Sequence, residues 1–513
     1  MQSHSENTKR IAKNTLMLYG RMLFSMVVSL YTSRVVLNTL GVVDYGIYGV
    51  VGGFVAMFSL ISSSLSSAVS RFLTFELGRG DKERLNKAFS TSLLIHIVLA
   101  IVVFIVAETV GIWFVNNKMT IPSDRLYAAN WVFQASILYF MFGLFSVPYN
   151  ASIVSHERMS AFAYMGILDT TLRLCVVLFI AYSSWKFDKL IVYSMLLVAV
   201  SISLQCIYLI YCRKHFEECR LKISFDKEFW KEISAFSVWN FIGCTAGILK
   251  DQGVNILLNI FVGPVLNAAR GIAVSVNRAV SGFASNFMTA LNPQITKSYA
   301  SGELKYAHFL VERGSRFSFY ILLIFAVPIL LETEFILKIW LKQYPDHSLN
   351  FVRLVLILSL VDSLSNTLIT LQNATGNIKK YQLVVGGILL LNFPLSYIFL
   401  KMGMVPEYTY VVAIAVAIMC MIARLLFLRK SASLPMLGFL KNVVFNVSCV
   451  FVCAAIIPFM IQRVLPYGWW RFIIVGVVSV IFTAISILVV GCHRSERTFI
   501  FEKARSIKNK FIK

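Results

Sequence analysis

Acidic residues are scarce in this chain. Only 25 of its 513 residues are Asp or Glu, and charged residues of both signs make up 14%. An ordinary soluble domain carries about a quarter of its residues as charges. With 58% hydrophobic residues and a mean hydropathy of +0.74, the shortage excludes a soluble protein with a large core and requires a polytopic membrane protein. Catalytic signatures are missing too. There is no Walker-type phosphate loop, no dinucleotide-binding glycine fingerprint, no HExxH and no GxSxG. No ATPase domain is expected, and the outer loops are too small for a glycan polymerase or transferase, so neither an enzyme nor a cofactor is expected. Nine cysteines give no disulfide framework. Six lie in apolar segments, and Cys449 and Cys453, though spaced i, i+4, have no His or acid beside them to complete a metal site. The first apolar segment is full length and lacks an A-x-A site, so no cleavable signal peptide is expected.

Long apolar runs are abundant. A span needs ~20 residues at ~1.5 Å each. Fourteen candidates cover approximately 14–38, 45–70, 88–113, 126–149, 161–183, 190–212, 234–260, 266–292, 309–331, 351–373, 382–400, 408–428, 442–462 and 472–491. The expected fold class is therefore an all-α polytopic membrane protein with about 14 transmembrane helices. An even number puts both termini on one side. Lys and Arg choose the side, with 29 in the N-terminus and alternate loops against 9 in the opposite loops. That bias predicts both termini in the cytoplasm. It also accounts for the net charge of +23 without nucleic acid as a partner, because the basic residues sit in short loops between apolar segments. The longest outer loop, 332–350, reads as a helix at the membrane surface. The basic amphipathic tail, 492–513, is expected on the anionic inner leaflet.

The chain also repeats itself at an offset of 222 residues. Gly41, Gly49, Ser59, Ser63, Ala68, Thr74 and Gly80 fall on Gly263, Gly271, Ser281, Ser285, Ala290, Thr296 and Gly302. Helices 1–6 and 7–12 share this register. The expected organisation is an N-terminal six-helix lobe (1–222), a C-terminal six-helix lobe (223–430), helices 13 and 14 (431–491), and the tail (492–513). Six is even, so the lobes have the same orientation about an axis along the membrane normal.

Charges inside the spans are the candidate functional residues. An ion at the bilayer centre costs at least ~2.5–3.5 kcal/mol, so it is kept only where it meets partners or water. The stretch 234–303 carries Lys250, Asp251, Arg270 and Arg278, with Asn240, Gly247, Asn255, Asn267, Asn277 and Ser281 at helical spacing. Small and polar residues on one stripe also serve bundle packing. Elsewhere stand Arg21, Arg34, His96, Asp169, Arg173 and Asp362. Asp169 and Arg173, at i, i+4, read as a structural ion pair; His96 reads as a hydrogen-bonded interior histidine, and Arg21 as a snorkelling residue. Arg34, Lys250, Arg270 and Arg278 are the candidate substrate-binding cations, because guanidinium and ammonium groups suit a phosphate or another anionic passenger. Asp251 and Asp362 are candidate ion-coupling residues for Na+ or H+; for Asp251, neutralisation of Lys250 is the alternative.

Leu40-Gly41-Val42-Val43-Asp44-Tyr45-Gly46-Ile47-Tyr48 resembles the LGxxDYGxY turn between the first two helices of polysaccharide flippases. Gly80-Asp81-Lys82-Glu83 resembles the basic loop that follows, and residues 261–271 and Asn292-Pro293-Gln294 resemble a bacterial subgroup of the same family. The resemblance covers nearly the whole chain. It is to the multidrug/oligosaccharidyl-lipid/polysaccharide exporter superfamily, nearest the Wzx-type O-antigen and capsule repeat-unit flippases. It implies two six-helix lobes in a V around a cavity, alternating access, and an undecaprenyl-pyrophosphate-linked oligosaccharide as passenger. It also implies membrane lipid and polysaccharide assembly proteins as partners, in a bacterial inner membrane. A cation-coupled multidrug exporter and a lipid II flippase share that fold and stand as alternatives. Arg270 stands where the repeat has Tyr48, so cavity charge is particular to this chain.

The topology is tested by reporter fusions. A fusion at Lys513 is expected to report the cytoplasm and one at Lys342 the opposite side; the same side for both rules out the fourteen-span reading.

Overall fold

Backbone inside a bilayer has no water to bond to, and a helix satisfies its own groups within one segment. The computed structural model describes residues 2–56, 58–117, 121–183, 187–220, 226–262, 264–341, 344–493 and 496–498, and no strand occurs among them. The first expected span lies in α1 (Gln2–Ala56), and the second runs from the end of α1 into α2 (Ser59–Arg79). The only non-helical residue inside α1 is Gly41, at φ 80° and ψ 169°, within the glycine-rich motif. That left-handed φ favours glycine. Spans three to six are α3 (Lys82–Val106, continued through a π turn into α4, Ile112–Asn117), α5 (Leu126–Ser155), α6 (Met159–Tyr182) and α7 (Lys189–His215). Spans seven to nine are α8 (Lys227–Phe261), α9 (Pro264–Ala300) and α10 (Leu304–Leu331). The 332–350 loop contains the helix α11 (Thr333–Leu341). The remaining five spans are the pairs α12–α13 (Ser348–Ser363, Asn366–Thr375) and α14–α15 (Lys379–Leu390, Asn392–Lys401), then α16 (Tyr408–Ser431), α17–α18 (Met436–Phe439, Asn446–Val464) and α19 (Trp469–Ser486). The tail beyond 498 lies outside the described residues.

The chain is thus an all-α polytopic membrane protein. Among the described residues, ten stretches between Lys82 and Gly491 are long and apolar enough to cross a membrane by length and composition. They are expected spans three to six and nine to fourteen. The other four expected spans fall on α1, α2, α8 and α9, which carry Arg21 and Arg34, a serine-rich run with Arg71, Lys250 with Asp251, and Arg270 with Arg278.

The helices gather into two compact units. Unit 1 is Met1–Thr245 with Thr289–Glu303, and unit 2 is Ala246–Met288 with Leu304–Lys513. In unit 1 a cluster of Val51, Val55, Ala107, Val115, Val132, Phe133, Ile137 and Leu190 joins α1, the π turn, α4, α5 and α7. Gly111, in the π turn, lets the Phe133 ring lie against the backbone: a Cβ there would stand 2.5 Å from Cζ. In unit 2, α10 packs against α12, α18 and α19. Its ends are tied ionically. Glu332, its carboxylate 1% exposed, receives Arg471 at 3.0 Å, and Glu496 receives Arg313 at 2.5 Å and Arg316 at 2.9 Å.

Asp44, the acidic residue of the LGxxDYG motif, has a structural task. Arg125, just before α5, clasps it through Nε at 2.8 Å and Nη2 at 2.5 Å, and gives Nη1 to Asp188 at 2.5 Å. Asp188 caps α7 by accepting the backbone N–H groups of Leu190 and Ile191. One planar fork therefore ties the Gly41 break to the starts of two helices. Burial pushes the Asp188 carboxyl up, but the Arg125 hydrogen bond and charge and the two amides outweigh it and hold it below the usual carboxylate range. The sign follows: a depressed folded value gives stability that is complete above about pH 4 and is lost as the pH falls through the folded value. Melting of the purified protein is expected to drop below about pH 4 by a smaller step in Asp188→Asn than in the parent; equal steps would remove Asp188 from the account.

Candidate functional site

The two polar helices α8 and α9 bring three of the expected residues together in unit 2. Arg270 is buried, at 8% exposure. Its Nη2 lies 3.3 Å from the backbone oxygen of Asp251 and 3.8 Å from Oδ1, and its guanidinium lies 5.4 Å from the centre of the Tyr410 ring. Lys250 places Nζ 3.8 Å from the same Oδ1, with a side chain 13% exposed. So Asp251 faces both cations. At 3.8 Å these are ion pairs and not hydrogen bonds. The carboxylate is 61% exposed, so it is hydrated from its other side.

Asp362, on α12, joins the same electrostatic neighbourhood. It feels Lys250, Asp251 and Arg424. Arg424 lies in the apolar run of α16, is 7% exposed, and donates Nε to the Tyr381 hydroxyl at 3.3 Å. The sequence reading passed over Arg424. The signal that could have found it was the one used elsewhere, a lone charge within an apolar span. Asp251 thus lies between Arg270 and Lys250, and Asp362 shares their electrostatic neighbourhood with Arg424: three cations and two carboxyl groups. A buried charge cluster is costly unless each member finds a countercharge. Among the described residues the cations of this cluster outnumber its carboxyl groups by one.

The other two candidate cations are elsewhere. Arg278 is exposed on α9, about 12 Å along the helix from Arg270 at ~1.5 Å per residue. Its neighbour Asn277 accepts Ser281 at 2.9 Å and also Ser359, which is bundle packing. Arg34 is on α1, in unit 1, and its side chain lies outside the described residues. Asn240 donates to the Ser64 carbonyl at 3.2 Å while Ser64 donates to that of Ser237 at 2.7 Å, so its place on the polar stripe is also packing.

The remaining first-half charges are structural. Arg173 holds Asp169 at 2.8 Å and reaches the Tyr139 hydroxyl. His96 is fully buried with Nδ1 2.8 Å from the Ser92 carbonyl. Arg21 lies over the Phe162 ring at 4.6 Å, in a seat that Gly166 keeps open: a Cβ there would stand 2.6 Å from Arg21 Cδ.

Comparison with known proteins settles the family. The model of the polysaccharide biosynthesis protein family matches residues 9–299, more than half of the chain. The chain belongs to that family. No curated protein matches the sequence. Among solved structures, a MATE transporter in complex with MaD5 superposes with a TM-score of 0.70 at 14% identity, over 83% of this chain and 96% of the other. A multidrug resistance MATE family transporter of the MOP superfamily, in its outward-facing conformation, gives 0.69 at 12%, over 83% and 96%. A MOP superfamily transporter from Pyrococcus furiosus also gives 0.69 at 12%, over 83% and 96%; the reversed polarity of its binding pocket suggests a different function for it. At such identities the likeness is one of fold. Family and fold are those of membrane flippases and exporters.

The charge cluster makes a measurable demand. Asp362→Asn and Arg424→Gln are each expected to lower the melting temperature, and the double variant to lose less than their sum, with a coupling of ~1 kcal/mol or more. Simple additivity would show that the two charges do not answer one another.

Proposed function

We propose that this family member flips undecaprenyl-pyrophosphate-linked oligosaccharide repeat units across the bacterial inner membrane by alternating access, in surface polysaccharide or O-antigen biosynthesis. The observation that carries this reading is the charge set of unit 2, with its one positive charge in excess, on helices of a polysaccharide biosynthesis protein. A passenger with a pyrophosphate has the complementary sign. Lys250 offers three donors and Arg270 a planar fork, and neither is within hydrogen-bond distance of the Asp251 carboxylate. A phosphate oxygen could therefore engage either without first breaking a tight pair. In this reading Arg34, Lys250, Arg270 and Arg278 meet the head group, Asp251 and Asp362 are the groups through which Na+ or H+ is coupled, and Arg424 balances Asp362. The lipid tail stays in the bilayer, and polysaccharide assembly proteins take the product. The lobes 1–222 and 223–430 rock about the axis that their repeat defines, with both termini in the cytoplasm.

Drug export is the second reading, favoured by the fold shared with MATE transporters. Sign argues against it for cationic drugs, which an acidic site would suit.

The experiment is complementation of a flippase-deletion strain, followed by analysis of the lipid-linked glycan that accumulates without the protein. Lys250→Ala and Arg270→Ala are expected to cut glycan export about tenfold or more, as loss of one charge-assisted contact of ~1.5–3 kcal/mol would. Protein level and membrane insertion stay as in the parent, and Arg270→Lys recovers part of the export. Normal export by both alanine variants would remove the cations from the pathway. Drug resistance without any change in glycan would favour the second reading.

A further inference from the structure

The turn between α5 and α6 holds an acid where a helix ordinarily ends in glycine. Arg158 N–H donates to the Ile153 carbonyl at 3.0 Å and Glu157 N–H to that of Val154 at 2.9 Å, which is a Schellman ending. Its left-handed position is Glu157, at φ 57°. Glycine takes that conformation without strain, whereas a side chain is penalised there. The strain is held in place by what the side chain does.

The Glu157 carboxylate is 2% exposed and collects three donors from distant parts of the chain. Arg10 Nε of α1 lies at 2.8 Å, Lys297 Nζ of α9 at 2.8 Å, and Gln294 of α9 donates as well. Asn14 reaches the Glu157 backbone oxygen at 3.4 Å. Leu18, Met159 and Ala290 pack beside this network. The end of α9 is seated again at Gly78 of α2, where a Cβ would stand 2.8 Å from Ala300 Cβ and 2.9 Å from the Lys297 carbonyl. These contacts all lie within unit 1, which takes residues 289–303 while 264–288 belong to unit 2. Pro293 lies in this stretch, and a proline deprives the carbonyl four residues earlier, that of Thr289, of its helical donor. The weakened turn therefore coincides with the point at which α9 passes from one unit to the other.

We propose that Glu157 is a conformational latch that keeps the last turns of α9, from Thr289 to Ala300, docked in unit 1. Its release lets them undock about Pro293. Chemistry distinguishes a latch from a permanent joint. Buried ion pairs are seldom better than apolar packing for stability alone. They do come apart into groups that water accepts, and Arg10, whose side chain is 49% exposed, already gives water access. Strained backbone at such a junction stores part of the difference between the two states. The latch goes beyond the flipping of any one passenger, and its test needs none.

Ser298, 6% exposed on the docked segment, is replaced by Cys in the full-length protein in lipid nanodiscs, and maleimide labelling is followed by site-resolved mass spectrometry. Buried Cys420 of unit 2 is the internal reference. Glu157→Gln and Glu157→Gly are each expected to speed labelling at position 298 by about fivefold or more, with Cys420 unchanged. Glu157→Gly, which relieves the left-handed strain, is expected to melt no lower than Glu157→Gln. Unchanged labelling at 298 in both variants overturns the latch. So does a rise at 298 matched by a rise at Cys420, which would make Glu157 a general support of the fold.

Discussion

The charges that this chain carries into and along its helices must be answered, and its tertiary contacts are arranged around the answers. Hydrophobic burial does little to specify contacts between helices in lipid, since a bilayer is as apolar as a leucine side chain. An ion with no partner is penalised by several kcal/mol, so ionic contacts decide which helix meets which. Arg125 joins the Gly41 break to α7, Glu332 joins the end of α10 to Arg471 in the first turn of α19, and Glu496 returns the chain after α19 to α10. Acid is scarce, and each of these carboxylates receives one cation or more.

Much of the fold was legible because it rests on local patterns. Apolar runs placed the fourteen expected spans on the helices. The i, i+4 spacing gave the Asp169–Arg173 pair, which forms at 2.8 Å. Contacts of long sequence separation were not legible. Glu157 meets Arg10 and Lys297 across 147 and 140 residues, and in the sequence it is an acid in a short loop beside a histidine and an arginine. Asp44 was read as part of a resemblance, yet its partner Arg125 is 81 residues away in a loop that no local pattern links to it. At the candidate site, neighbours in sequence pointed to Lys250 and Asp251, but only folding shows Arg270 sharing the same oxygen.

The mixture of sign among Arg270, Asp251, Lys250, Asp362 and Arg424 has a consequence for how such a site works. A uniformly cationic site would bind a phosphate strongly and release it slowly, since affinity gained on entry must be lost on exit. Counter-carboxylates set within the same cluster lower the net field to about one charge while leaving individual donors available. In the proposed function an arriving anion would compete with Asp251 for Lys250 and Arg270, and a departing one would be replaced by it. The 3.8 Å separations fit exchange of that kind better than a closed pair would.

Exchange also supplies a reason for placing carboxylates and cations on different helices. Asp251 and Lys250 belong to α8, Arg270 to α9, Asp362 to α12 and Arg424 to α16. Any shift of one helix against another changes which charges face each other, and the energy of the cluster with them. In the proposed function a bound anion would favour the arrangement that opens the cations, and a proton or metal cation on either carboxylate would have the same sense, because it too would release them. In the proposed reading, ligand and coupling ion would act on one equilibrium through one set of groups, which is the differential affinity for two states that coupled transport requires.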